Sequence, residues 1–266
     1  MNPTWMILGA LLLLAIPAYA DIAMVDPVVE KVRAGGIIDA GSISPGESVE
    51  LIFSRVSGYG KDIFWEQAIL QKTEDATGVR TENSASGTDS LIAIIHTTSA
   101  TPLGEYRFRV TMKGDGDTLQ DETATIILRV ENNLVKASLS TEEVNGRVNE
   151  PLTFTVFVLN NSSATIPIAI EPALPASWVR PQTRMMGPHS FETVTLEIIP
   201  RFAGPKTFDI QVTRTDKGTE VAAISATLNA EPTLKDRYSA GLYGFPFFTI
   251  SLVSHYLVNA IVGMLL

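Results

Sequence analysis

The chain has 266 residues, 20 basic and 29 acidic side chains, a formal net charge of −9 and no cysteine. That balance excludes nucleic acid as a partner, because phosphate backbones are held by clustered Lys and Arg. The missing thiols exclude disulfides, thiolate catalysis, Cys-based zinc sites and lipid attachment to an N-terminal Cys. A mean hydropathy of +0.18 sits oddly beside a pI near 4.9. The charges resolve this, since all of them lie within 21–237, a stretch about a quarter charged like an ordinary globular chain. It is long enough for two domains of about 100 residues each.

Residues 1–20 begin with the apolar run Trp5 to Ile16 and end in Ala18-Tyr19-Ala20 before Asp21. A short apolar core closed by small residues reads as a secretory signal cleaved between Ala20 and Asp21. The n-region has no Lys or Arg, so an uncleaved anchor is the alternative.

Between 21 and 237 the apolar periodicity is two. Val49, Leu51 and Phe53 alternate with Glu50, Ile52 and Ser54, and Tyr106, Phe108 and Val110 alternate with Arg107 and Arg109. Thr153 to Val158 and the set Phe208, Ile210, Val212 continue the pattern. Alternation places one face on a core and the other in water, the signature of a half-buried strand. Ser44-Pro45-Gly46, Thr101-Pro102, Lys113 to Asp117, Asn160 to Ser162 and Ala203-Gly204-Pro205 supply the turns. The fold class expected is therefore all-β, as two tandem immunoglobulin-like sandwiches.

An internal repeat supports two copies. Gly46-Glu47 before Val49, Leu51 and Phe53 parallels Asn149-Glu150 before Leu152, Phe154 and Val156. Leu91 to Ile95 parallels Val194 to Ile198, and Gly104 before Phe108 parallels Gly204 before Phe208. The expected organisation is a first sandwich over 21–132, a second over 133–232, a linker over 233–244 and a membrane helix over 245–266.

The tail from Phe245 to Leu266 holds 22 residues without a formal charge. A helix starting at Pro246 would be about 31 Å long, one hydrocarbon core. Tyr238, Tyr243 and Phe245 to Phe248 suit an interfacial aromatic belt. No Lys or Arg follows the helix, so partial insertion, or a tail removed for a lipid anchor, stand as alternatives. Ser251, His255, Asn259 and Gly263 recur every four residues, a stripe of the small and polar kind that packs helices in membranes. It reads as a docking face for a membrane protein or a second copy, or else as polar residues tolerated near an interface.

With these runs in hand, the chain resembles tandem immunoglobulin-like or fibronectin-III-like modules of prokaryotic, especially archaeal, surface proteins, which carry strand-opening P-G-E motifs like Pro45-Gly46-Glu47. Its second copy, with Leu174-Pro175-Ala176-Ser177-Trp178, looks like the NEW3-type sandwich, with Ser177 where that turn usually has Gly. The resemblance covers about 40–232 and implies architecture, a surface location and an adhesive or scaffolding role, with no catalytic residues.

Candidate chemistry is sparse. His96, His189 and His255 share no local motif, and no nucleophile-elbow, P-loop or dinucleotide fingerprint occurs. Asp115, Asp117 and Asp121 crowd one turn as weak calcium candidates, although the spacing fails the EF-hand template. Asn160 and Asn161 head two overlapping N-x-S acceptors in a turn expected to be exposed, so glycosylation there is weighed against a bare turn. Trp65 and Trp178 are either sugar-stacking platforms or core residues.

The reading favoured by the sequence is a non-enzymatic protein of the cell membrane, single-pass, with its ectodomain outside and no cofactor. Its role would be structural, adhesive or scaffolding. An accessory subunit of a secretion or glycosylation machine, docked through the tail, is the first alternative. A glycan-binding module is the second.

Overall fold

The computed structural model describes residues 20–58, 63–73, 77–83, 89–232 and the helical, exposed residues Leu257, Val258, Ile261 and Val262. The expected signal core before Ala20, the linker 233–244 and the stripe Ser251, His255, Asn259 and Gly263 lie outside the described residues. Among the described residues no helix is long and apolar enough to cross a membrane. Ala20 is buried, and Asp21 opens the first strand, its N–H donating to the Ser57 carbonyl.

Among the described residues seventeen strands form four sheets. In the first half these are β1 (Asp21–Asp26), β2 (Glu30–Arg33), β3 (Ile37–Ile43), β4 (Ser48–Ser54), β5 (Gln67–Lys72), β6 (Val79–Glu82), β7 (Ser90–Thr97), β8 (Gly104–Lys113) and β9 (Glu122–Val130). They pair as β2-β1-β4-β7-β6 and β3-β9-β8-β5. The second half holds β10 (Val135–Leu139), β11 (Glu143–Arg147), β12 (Leu152–Asn160), β13 (Ile166–Pro172), β14 (Gln182–Met186), β15 (Phe191–Ile198), β16 (Gly204–Arg214) and β17 (Thr219–Glu231). These pair as β10-β12-β15 and β11-β17-β16-β13-β14.

Each pair of sheets closes on its own core because alternate residues of the central strands are apolar. Val49, Leu51, Phe53, Leu91, Ile95, Phe108, Val110, Ile126 and Leu128 fill the first, with Trp65 fully buried among them. Phe154, Val156, Val158, Ile168, Val194, Leu196, Ile210 and Val212 fill the second. Phe154 and Phe208 meet edge-on at 5.7 Å, a favoured aromatic geometry.

The strand order is immunoglobulin-like. In each half an early strand runs parallel to the last one, β3 with β9 and β11 with β17, while the remaining ladders are antiparallel. Tyr106, near the start of β8, donates its hydroxyl to the Pro102 carbonyl at 2.7 Å, the tyrosine corner of such sandwiches. The repeat is visible in the backbone. Gly46 at φ 78° and Asn149 at φ 63° occupy equivalent left-handed positions before β4 and β12. The halves differ at β6 and β14. The former extends the sheet of β7, whereas the latter pairs with β13 on the opposite sheet.

Candidate functional site

The densest buried polar cluster lies where the two sandwiches meet. Three elements build it: the β3–β4 turn of the first sandwich, and the β12–β13 loop and β16–β17 hairpin of the second. Gly46 turns the chain, so that Glu47 N–H reaches the Ser44 carbonyl at 3.0 Å and the Glu47 side chain folds back onto Ser44 N–H at 2.7 Å. Thr97 ties this turn to β7, donating its N–H to the Glu47 carbonyl at 2.8 Å.

Glu47 would be an ordinary surface acid but for the second sandwich. Arg214, at the end of β16, donates Nη1 to Glu47 Oε1, and Ser162 donates its hydroxyl to Oε2 at 2.6 Å. The two side chains of the ion pair are 1% and 6% exposed, so water screens them little. Asp216 takes the other edge of the same guanidinium, from Nε at 3.1 Å and Nη2 at 2.6 Å. Burial alone would raise the Asp216 carboxyl, but hydrogen bonds and charge from Arg214, with Lys217 adding, hold it below the ordinary value. Burial lowers Lys217, and the like charge of Arg214 adds to that; its Nζ donates to the Pro45 carbonyl at 2.5 Å.

The β12–β13 loop is a plug. Ser163 donates its N–H to Ser42 O at 2.7 Å and its hydroxyl to Ala40 O at 2.6 Å, while Ala164 packs into the first core. Asn160 shapes the plug: Nδ2 donates to Ala164 O and Gly187 O at 3.0 and 2.7 Å, and Oδ1 accepts from Ser162 N–H at 2.9 Å. Gly41, at φ 83°, lies beneath it, and a Cβ there would collide with the Ser163 hydroxyl. A cleft of about 490 Å³ opens beside the junction, lined by Ser44, Asn133, Leu134, Val135 and Lys217 among others.

This arrangement holds the two sandwiches together through a buried ion pair and hydrogen bonds. Ser163 Oγ is 3.2 Å from His189 Nε2, which looks like a nucleophile and base. However, its single proton is committed to Ala40 O, so the hydroxyl serves His189 as an acceptor, and Ser163 is buried. A second row runs across β4, β7 and β6, with Ser48 Oγ 2.7 Å from His96 Nδ1 and Glu82 3.3 Å from Nε2. It lies on the outer face of the sheet, across β4, β7 and the edge strand β6.

The sequence candidates fall elsewhere or change role. The turn at Asn160 and Asn161, expected to be exposed, is instead buried: Asn160 is 0% exposed, with its amide wholly used inside the protein, and Ser162 and Ser163 are buried with it. Asn160 is therefore a positioning residue of the plug, which corrects the glycosylation reading at Asn160, whereas Asn161 is only half-buried. Asp115 accepts from Thr118 and Leu119 N–H at 2.9 and 2.8 Å, Asp121 pairs with Lys113, and Asp117 is exposed, so the calcium candidates close a turn rather than converge. Among the described residues no three acidic or histidine side chains gather to hold a metal. Trp65 donates its indole N–H to Asp21 O from inside the first core, and Trp178 is 6% exposed in the second. Neither presents a stacking face. Sequence reasoning missed Glu47 and Arg214 as a pair, and the only signal was a charge on each of two turns.

No protein-family profile matches the chain, and no curated protein matches it. Among solved structures it is similar to the fibronectin(III)-like modules of Clostridium thermocellum CbhA, at 9% identity over 79% of this chain and 94% of that one, with a TM-score of 0.29. It is also similar to the Escherichia coli adhesin FdeC, at 15% identity over 76% and 68% of the chains and a TM-score of 0.31. The I9–I11 tandem of titin matches at 14% identity over 82% and 76%, with a TM-score of 0.35.

Proposed function

We propose that the protein is a non-enzymatic, membrane-anchored surface protein whose two immunoglobulin-like sandwiches act as one stiff stalk. It would hold a binding or spacing surface at a set distance from the membrane, with a structural, adhesive or scaffolding role. The observation that carries this reading is the buried Glu47–Arg214 pair, reinforced by the Ser162–Ala164 plug, between the two sandwiches. Freely hinged modules have small, wet interfaces. A desolvated ion pair with its hydrogen bonds satisfied is oriented and costly to open. The uncharged tail over 245–266 supports the anchor, and the apolar run ending at Ala20 supports export.

The chain has no native cysteine, so Leu103→Cys in intact cells gives a clean test. An impermeant maleimide should label it without lysis, and the protein should stay in the membrane pellet after an alkaline wash. Labelling only after lysis, or release into the supernatant, refutes the placement.

The stripe of Ser251, His255, Asn259 and Gly263 supports a second reading, an accessory subunit held in a membrane complex by its tail. Replacing His255 and Asn259 by Leu should then release the partner, and unchanged co-purification would remove this reading.

A further inference from the structure

The second sandwich has a junction end and a free end, joined by β16 and β17. Their register runs from Arg214↔Thr219 at the junction to Gly204↔Ala230 at the free end, about 35 Å away at strand rise. The chain leaves β17 at the free end. Val148 donates its N–H to Glu231 O, Asn149 to Pro200 O, and Arg201 Nη1 reaches Asn149 Oδ1 at 3.0 Å. The loop Pro200 to Gly204 therefore stands directly beside the exit toward the tail.

That loop exposes an aromatic ring at its tip. Phe202 is 74% exposed, its ring 6.1 Å from that of Trp178, while Lys206 lies 5.1 Å from the Trp178 centroid on the same patch. At this end Arg180 and Arg201 stand in loops and Arg147 and Lys206 near strand ends, interspersed with Glu150 in a loop and Glu197 and Glu231 near strand ends. Arg147 faces Glu150 at 4.0 Å, whereas Arg180, Arg201 and Lys206 have no ion-pair partner among the described residues.

We propose that this end rests on an anionic lipid surface, with Phe202 in the headgroup region and Arg180, Arg201 and Lys206 on the phosphates around it. An exposed aromatic ringed by cations is the pattern of a peripheral membrane contact. The proposal builds on the anchored reading, because the tail must first bring the end close. Twelve residues separate Pro232 from Phe245, a tether of at most about 40 Å, so an inserted tail keeps this end within reach. The contact would orient the stalk and stop it swinging on its tether.

The test uses the full chain with Phe202→Cys carrying an environment-sensitive fluorophore, and Leu103→Cys in the first sandwich as control. Both are reconstituted with vesicles of phosphatidylcholine alone or mixed with phosphatidylglycerol, and flotation reports the anchor separately. The probe at 202 should blue-shift and be quenched by shallow spin-labelled lipid in the anionic vesicles, while that at 103 stays unchanged. Changing Arg180, Arg201 and Lys206 to Gln should weaken the contact by about five-fold for each charge removed, while the core, monitored by thermal melting, loses only the Arg201–Asn149 hydrogen bond and the Lys206–Trp178 contact. Floating protein with an unquenched 202 probe overturns the contact and leaves the anchor standing. Protein that does not float overturns both. A blue shift in lipid-free detergent that grows with protein concentration would give the patch to a second copy and overturn the lipid assignment.

Discussion

Arg214→Ala is the sharpest perturbation of the junction. It leaves the Glu47 carboxylate, 1% exposed, with only Ser44 N–H and the Ser162 hydroxyl. An unmatched buried charge of this kind costs about 3–5 kcal/mol. Glu47→Ala is milder at about 2–3 kcal/mol, since Arg214 keeps Asp216, and the loss comes mainly from the orphaned Ser44 and Ser162 donors. Because the double variant removes both charges, it should cost less than the two single changes together, with a coupling of about 2 kcal/mol. The assay is denaturant unfolding of the full chain in detergent, followed by Trp65 in the first core and Trp178 in the second, in single-tryptophan backgrounds. The two transitions should coincide in the parent and separate in Arg214→Ala. Coupling below about 0.5 kcal/mol, with transitions equally coincident in parent and variant, would refute the view that this pair joins the sandwiches.

Three further outcomes are expected. Asn160→Ala should cost about 2–3 kcal/mol by stranding Ala164 O and Ser162 N–H, while Gly187 O keeps the Ser190 hydroxyl, whereas Asn161→Gln should stay within about 0.5 kcal/mol; equal effects in thermal melts would contradict the plug. Gly41→Ala should cost at least about 1–2 kcal/mol for its left-handed backbone, with added collision at Ser163, and should broaden the angle between the sandwiches in small-angle scattering. Against a partial desolvation that would raise them, Asp39, beside Arg129, and Asp216, beside Arg214, are held by those guanidinium groups below the ordinary aspartate value of 3.8. A depressed carboxyl adds stability that is complete above its unfolded value and fades as pH falls through the folded one. The melting temperature should therefore drop below about pH 4, and Asp216→Asn should flatten that drop; an identical acid profile in the variant would show that Asp216 contributes nothing.

The strands were legible because alternation is a local property. Val49, Leu51 and Phe53 declare an inward face within five residues, and the same holds for Phe154, Val156 and Val158. The turn before each is legible too, since Gly46 and Asn149 are residue types that accept a left-handed backbone. The junction was not legible. Glu47 and Arg214 stand 167 positions apart, and each looks like a solvated charge beside a turn. The same blindness made Asn160 to Ser163 look exposed, because a turn at the tip of a sandwich is polar whether it meets water or a neighbour. Trp178 shows a related ambiguity: its L-P-A-S-W context marks the turn, but only packing against Phe202 and under Lys206 shows which face is covered.

The most direct test of the stalk is the distance between its two bodies. Spin labels at Leu103→Cys in the first sandwich and Met185→Cys in the second, both exposed positions on a cysteine-free chain, report it in pulsed dipolar spectroscopy. A single narrow distance distribution in the parent, broadening in Arg214→Ala, is the result expected of a rigid junction. A parent distribution already as broad as that of the variant would contradict it.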